Sequence, residues 1–157
     1  MTQPAIAPQD TRSHLTGLLL PLADRTLLLP NSAVAELIPL RAPVSEAGMP
    51  RWLLGQVAWR NLNLPLMSFE AAAGGEPSIG SGARVAVLNA LGGRAHVKFI
   101  AMVVQGIPRS VRLDESLARA KAPLGALERD AVLVNDQVAK IPDLVALEDL
   151  LASAGYI

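Results

Sequence analysis

A chain of 157 residues and 16.5 kDa fits one domain, or two small subdomains sharing a core, and such a chain buries roughly two thirds of its unfolded surface. Its 14 Lys+Arg and 14 Asp+Glu cancel, so no net field steers it toward nucleic acid or an anionic bilayer, and 3% aromatic against 51% hydrophobic residues favours an aliphatic core over stacking on bases. Cysteine is absent, which removes disulfides, thiolate metal sites and thiol nucleophiles and is compatible with a reducing cytoplasm.

In chain order, residues 1–14 lack a basic flank followed by an apolar run and read as a disordered tail, not a secretory signal. Residues 15–21 and 26–29, split by Ala23-Asp24-Arg25, predict a first β-hairpin that Pro30 ends. Asn31 or Ser32 is placed to cap one helical turn over Ala33-Val34, and residues 35–40 resume as a strand. A loop over 42–49 leads to PRWLLGQVAWRNLNLPLMSFE, residues 50–70, in which two alternating segments flank Arg60-Asn61 and predict a hairpin with a basic corner. Residues 71–82, with Gly74-Gly75, Pro77, Gly80 and Gly82, read as a connection and an internal boundary.

Beyond it the strand pattern restarts over 83–90, 94–104 and 107–113, with a Leu91-Gly92-Gly93 turn after the first. Residues 114–120 carry acids early and a base late, which suits a short helix or turn. Segments 124–134 and 137–147 flank Asn135-Asp136, a pair fitted to a two-residue turn, and Pro142 is tolerated there only at an edge or bulge. Residues 147–154, stopped by Gly155, read as a terminal amphipathic helix. The apolar segments 15–22 and 27–40 are interrupted and fall short of the ~20 residues that span a bilayer, so a soluble protein is expected.

Catalytic chemistry has little support. His14 lies in the tail, and His96 falls in an alternating segment with Val97 and Phe99 without a carboxylate at ligand spacing, so no metal is expected. Gly80-Ser81-Gly82 precedes a strand and lacks the flanking residues of a phosphate loop or a nucleophile elbow. The adjacent acids Asp114-Glu115 and Glu148-Asp149 do not face each other as an acid and base would, and they read as solvated helix starts. Arg94 and Lys98 alternate with apolar residues and are expected to face water. No enzyme and no cofactor is expected; the remote alternative is a small hydrolase or ligand-binding barrel using Ser68 or Ser81 with His96.

The order of these features carries a resemblance. The first hairpin, the turn with Val34-Ala35-Glu36-Leu37-Ile38, then Pro50, Gly55, Arg60 and Leu64-Pro65-Leu66 resemble the first half of a CheW-like chemotaxis adaptor domain. Residues 85–90, the Gly92-Gly93 turn, residues 100–107 and Leu147-Glu148-Asp149-Leu150-Leu151 resemble its second half, so the similarity runs from Leu15 to Ala152 within one domain of residues 15–154. The resemblance implies a mainly β fold, two intertwined five-stranded β-barrel subdomains with short helices, one of them C-terminal. Closed barrels also remove the sticky edges that so many short apolar strands would leave.

It further implies a cytoplasmic, non-enzymatic adaptor, recruited to membrane receptor arrays, whose partners are a chemoreceptor cytoplasmic tip and a CheA-type histidine kinase, with neither nucleic acid nor membrane insertion. Val34, Leu37 and Ile38 are the implied apolar contacts, Glu36 and Arg60 the polar determinants that pair across adjacent strands, and Gly55 a place of close approach. Trp59 and Asn61 stand where a small apolar residue and glycine are usual, and Gln105 stands where aspartate is usual. These departures resemble the ChpC-type adaptors of type IV pilus chemosensory systems, with twitching motility as output. They also motivate the alternative of an interaction module no longer coupled to a kinase. Alternation leaves open whether Trp59 fills the core or marks an interface.

Overall fold

The computed structural model describes residues 15–45, 47–114 and 117–157. The expectations for the 1–14 tail, His14 and Glu115 lie outside the described residues. β1 (Leu15–Pro21) and β2 (Thr26–Pro30) form the first antiparallel hairpin. Pro30 ends β2, and Asn31–Ala33 make a single 3-10 turn without a side-chain cap, so the turn begins at Asn31 rather than being capped by it. β3 (Val34–Pro39), β4 (Leu53–Trp59) and β5 (Leu62–Met67) follow, then α1 (Phe69–Ala72), β6 (Arg84–Asn89) and β7 (Phe99–Val104). The chain closes with β8 (Arg109–Leu113), β9 (Ala118–Arg119), β10 (Glu128–Val134), β11 (Gln137–Pro142) and α2 (Leu144–Ser153).

Two sheets result, one in the order β8-β1-β2-β11-β10-β9 and one in the order β3-β6-β7-β5-β4. The first has five strands plus the two-residue β9 at its edge; the second has five. The fold is mainly β, of the two-barrel type. The intertwining is visible in the chain path, because β1 and β2 enter the first barrel, β3 to β7 build the second, and β8 to β11 return to complete the first. Residues 71–82 therefore join β5 to β6 inside the second barrel, and the crossings between barrels fall at Asn31–Ala33 and between β7 and β8.

Strand alternation divides the core into three parts. On β6, Val85 and Val87 fill the second barrel while Ala86 and Leu88 face the other way; on β7, Ala101 and Val103 fill it while Ile100, Met102 and Val104 face out. Those outward residues join Leu20, Leu27 and Leu29 from the first barrel, together with Phe69, Leu147 and Leu151, in a shared core between the barrels. The first barrel holds its own smaller cluster of Leu19, Leu28, Val132, Val134 and Ala139. Burial on both faces is what makes these strands read as continuous apolar runs.

Four local expectations are corrected. Residues 94–98 are not strand but a turn over Ala95-His96, closed by the Val97 N–H donating to the Arg94 carbonyl at 3.2 Å; β7 starts only at Phe99. Ala118 and Arg119 are extended against Leu133 and Val132, so tertiary pairing overrides the helix-like charge pattern. Ser68, at the end of the 50–70 stretch, accepts from the Ala71 N–H and starts a helical turn where a connection was expected. α2 begins at Leu144, earlier than expected, because Asp143 accepts from the Ala146 N–H as its cap. Pro142 closes β11 opposite the bulge at Glu128/Asp130, the position its missing N–H permits.

Candidate functional site at the β3–β4 corner

In the second sheet β3 and β4 are the two edges, so the expected ion pair does not join hydrogen-bonded neighbours. It joins the edges. Glu36 Oε1 on β3 accepts from Trp59 Nε1 at 3.0 Å and from Arg60 Nη2 at 3.1 Å at the end of β4. Further along, Val44 and Gln56 exchange backbone bonds of 3.0 and 2.9 Å, and together these links draw the edges into a closed barrel.

The hairpin between β4 and β5 explains the local arrangement. Trp59 pairs with Leu62, and the two residues between them, Arg60 at φ 47° and Asn61 at φ 62°, are both left-handed, as a type I′ turn demands. Asn adopts that region more readily than most side chains, so Asn61 does what glycine does there. Trp59 is only 7% exposed and fills the second barrel's core, edge-to-face with Phe99 at 4.7 Å. Burial of its ring leaves Nε1 needing an acceptor, and Glu36 supplies one. Arg60 lies over the same ring at 4.5 Å, with its side chain 69% exposed. The corner thus presents to solvent a guanidinium held by stacking on one side and a carboxylate on the other. Exposed as it is, the ion pair contributes about 0.2–1 kcal/mol.

The other expected residues sort by face. Val34 and Leu37 are half-buried and pack against the core between barrels, whereas Ile38 packs against the second barrel's interior. Gly55 sits at a bulge in β4 with φ 134°, and an added Cβ would lie 2.5 Å from the Val44 carbonyl oxygen; the close approach there is backbone to backbone. Gln105 is not part of the corner. Its Nε2 donates to the Ser78 carbonyl at 2.7 Å and its Oε1 accepts from the Gly80 N–H at 2.8 Å, tying down the loop before β6. Ser68 is buried as a helix cap, Ser81 lies in a turn and His96 in another, which gives the hydrolase alternative no assembled site. Among the described residues no cluster of His, Asp or Glu has the form of a metal site, and no helix is long and apolar enough to cross a membrane.

Residues 16–151 match the family model of the CheW-like domain. The chain belongs to the CheW-like family. Among solved structures, the crystal structure of the scaffolding protein TtCheW from Thermoanaerobacter tengcongensis superposes with a TM-score of 0.69 at 16% sequence identity, covering 83% of this chain and 84% of that one. At that identity the likeness speaks for the fold. No curated protein sequence matches the chain. This CheW-like domain therefore keeps the two-barrel architecture with little of the sequence of that relative.

Sequence reasoning missed the buried carboxylates. Glu148 is not solvated: it is 1% exposed, with its two carboxylate oxygens accepting from the Leu91 N–H at 2.6 Å and the Gly92 N–H at 2.9 Å, and Arg94 3.6 Å away. Arg94 also bonds Asp149 at 2.9 Å, so it serves this staple rather than facing water freely. The signal was available, because Glu148 falls in the buried stripe Leu144, Leu147, Leu151 at i+4 from the first. Glu70 is likewise buried and accepts from the Ala23 N–H at 2.8 Å, fastening the first hairpin to α1.

A third group, Asp24, Arg25, Glu128 and Lys140, ties the β1–β2 turn to β10 and β11, with Arg25 also over the Phe69 ring at 5.2 Å. Burial pushes the Glu128 carboxyl up, but the Lys140 bond, the Gly125 N–H and the Lys140 and Arg25 charges outweigh it and hold it below its ordinary value. The Arg25 hydrogen bond likewise holds Asp24 low, and Asp24 in turn raises Arg25.

Proposed function

We propose that this CheW-like domain is a non-catalytic adaptor that couples a chemoreceptor's helical-hairpin tip to a CheA-type histidine kinase in the cytoplasm. The observation that carries the reading is the β3–β4 corner of a domain that matches the family over residues 16–151: an exposed, pre-ordered guanidinium beside half-buried aliphatics on an edge strand. An arginine already fixed by Trp59 and Glu36 loses little side-chain entropy on docking, which is what an interface determinant needs. In this reading Val34, Leu37 and Ile38 supply apolar contact along β3, Glu36 and Arg60 supply polarity, and Trp59 acts from beneath by holding both.

The finer assignment is a ChpC-type adaptor of a type IV pilus system. It is supported by Trp59, Asn61 and Gln105, the residues at which the chain departs from the flagellar pattern. Co-sedimentation with a chemoreceptor signalling fragment and a CheA-type kinase from the same cell tests the reading. The expected outcome is a ternary complex with the unmodified chain and loss of both interactions in Arg60→Glu at unchanged Tm. Full binding by that variant would remove the site assignment, and receptor binding without kinase recruitment would instead support an interaction module uncoupled from a kinase.

A further inference from the structure

The two barrels are filled unequally. Trp59 and Phe99 pack inside the second, whereas the apolar cluster of the first contains no aromatic ring among the described residues. Trp52, Phe69 and Tyr156 belong to the core between the barrels. One end of the first barrel is left open. β1 starts there and β2, β8 and β11 end there, with Leu15 opposite Leu113, Gly17 opposite Pro30, and β11 parallel to β2. A cavity of about 410 Å³ lies at this mouth, reaching in to the buried Leu28 and ringed by Leu15, Leu113, Leu117 and Ile141. No charged residue lines it, and Leu15 is 69% exposed on its rim. Apolar surface gathered in a concave site is burial left unfinished.

A matching occupant adjoins the mouth in the chain. Leu15 stands on the rim, and residues 1–14, which precede it, lie outside the described residues. Their sequence, MTQPAIAPQDTRSH, holds one apolar run, Pro4-Ala5-Ile6-Ala7-Pro8, and no charged side chain before Asp10, which suits an uncharged lining. Residues 9–14 tether that run to Leu15 and span about 20 Å at most, so the run is never far from the mouth. So short a tether raises the effective concentration of the run at the mouth to the millimolar range, enough to populate a weak contact. Pro4 and Pro8 restrict φ on either side of Ile6, which lowers the entropy lost on docking.

We propose that Ile6, carried by the Pro4–Pro8 run, seats in the mouth of the first barrel as a plug supplied by the chain's own segment ahead of β1. The inference rests on the cavity and the tether and is independent of the adaptor reading. The plug completes the first barrel's aliphatic core, as Trp59 completes the second barrel's, and it bars the mouth to any other apolar segment until it is displaced.

Two readouts test this with the full chain, which has no cysteine of its own to interfere with labelling. In the first, a nitroxide is attached to Gln3→Cys and methyl resonances are followed by NMR. Broadening of Leu28, Leu117 and Ile141 is expected, with Val85 and Val103 of the second barrel left sharp, and adding Ile6→Asp to the labelled chain is expected to remove most of it. Broadening that is the same with and without Ile6→Asp overturns the proposal. Broadening as strong between a nitroxide-bearing chain and a separate isotope-labelled chain also overturns it, because the occupant is then a second copy. In the second, fluorescence of the dye 8-anilinonaphthalene-1-sulfonate is compared for the unmodified chain, Ile6→Asp and Ile6→Val. A several-fold rise is expected for Ile6→Asp, with Ile6→Val close to the unmodified chain and near-UV circular dichroism unchanged in both. Equal fluorescence for Ile6→Asp and the unmodified chain overturns the proposal, and so does a rise accompanied by loss of the near-UV signal, which would make Ile6 part of the general core.

Discussion

Glu148 and Glu36 are both carboxylates that reach across long stretches of chain to hold other segments, and they do opposite work. Glu148 is enclosed, satisfied mostly by backbone N–H groups, and its removal unfastens the 91–92 loop from α2. Glu36 is open to water, satisfied by two side chains, and its removal leaves solvent to take its place. The difference is one of dielectric surroundings, not of chemistry. An enclosed acid stabilises a fold, whereas an exposed one shapes a surface.

Substitutions at the two sites should separate accordingly. Glu148→Ala is expected to cost about 2–5 kcal/mol in urea unfolding, because two charge-assisted bonds are lost and the 91–94 loop is released from α2. Gly55→Ala comes next, at about 1–3 kcal/mol, since a Cβ at φ 134° collides with the Val44 carbonyl and opens the backbone closure near the corner. It separates backbone closure from the side-chain closure that Glu36 provides.

The Asp24–Arg25–Glu128–Lys140 cluster lies between the two cases, braced by ion pairs at a partly open surface. Glu128 and Asp24 have folded-state values depressed below 4.5 and 3.8, so their stabilisation is complete above those values. It is lost as pH falls through the depressed ones. Urea titrations from pH 7 to pH 3 should show stability falling only in the acid range, and Lys140→Met should flatten that fall. Smallest of all, Glu36→Ala is expected to lower stability by about 1 kcal/mol, the exposed ion pair being lost and water replacing the carboxylate at Trp59 Nε1, read as a small fall in Tm.

Much of the fold was legible because alternation and turn chemistry are local. Asn135-Asp136 was read as a two-residue turn and has φ of 49° and 65°, the same geometry as Arg60-Asn61. The Glu36–Arg60 pair was also anticipated, though as a link between adjacent strands and not between the two edges of a barrel. What failed depended on partners far away in sequence. Glu148 looked solvated because its acceptor role lies with residues 91 and 92, and 118–119 looked helical because their strand partner lies at 132–133. Trp59 was undecidable from alternation alone, since an indole can bury its rings and still place one N–H at the rim, as it does here on Glu36.

The central claim is that the corner of Glu36, Trp59 and Arg60 serves a partner rather than the fold. The double variant Glu36→Gln with Arg60→Glu tests it most directly, because the glutamine amide keeps an acceptor for Trp59 Nε1 while a carboxylate replaces the exposed guanidinium. Measured side by side, the account predicts a Tm close to that of the unmodified chain and loss of co-sedimentation with the receptor fragment and kinase. Binding retained at full strength by this variant would contradict it.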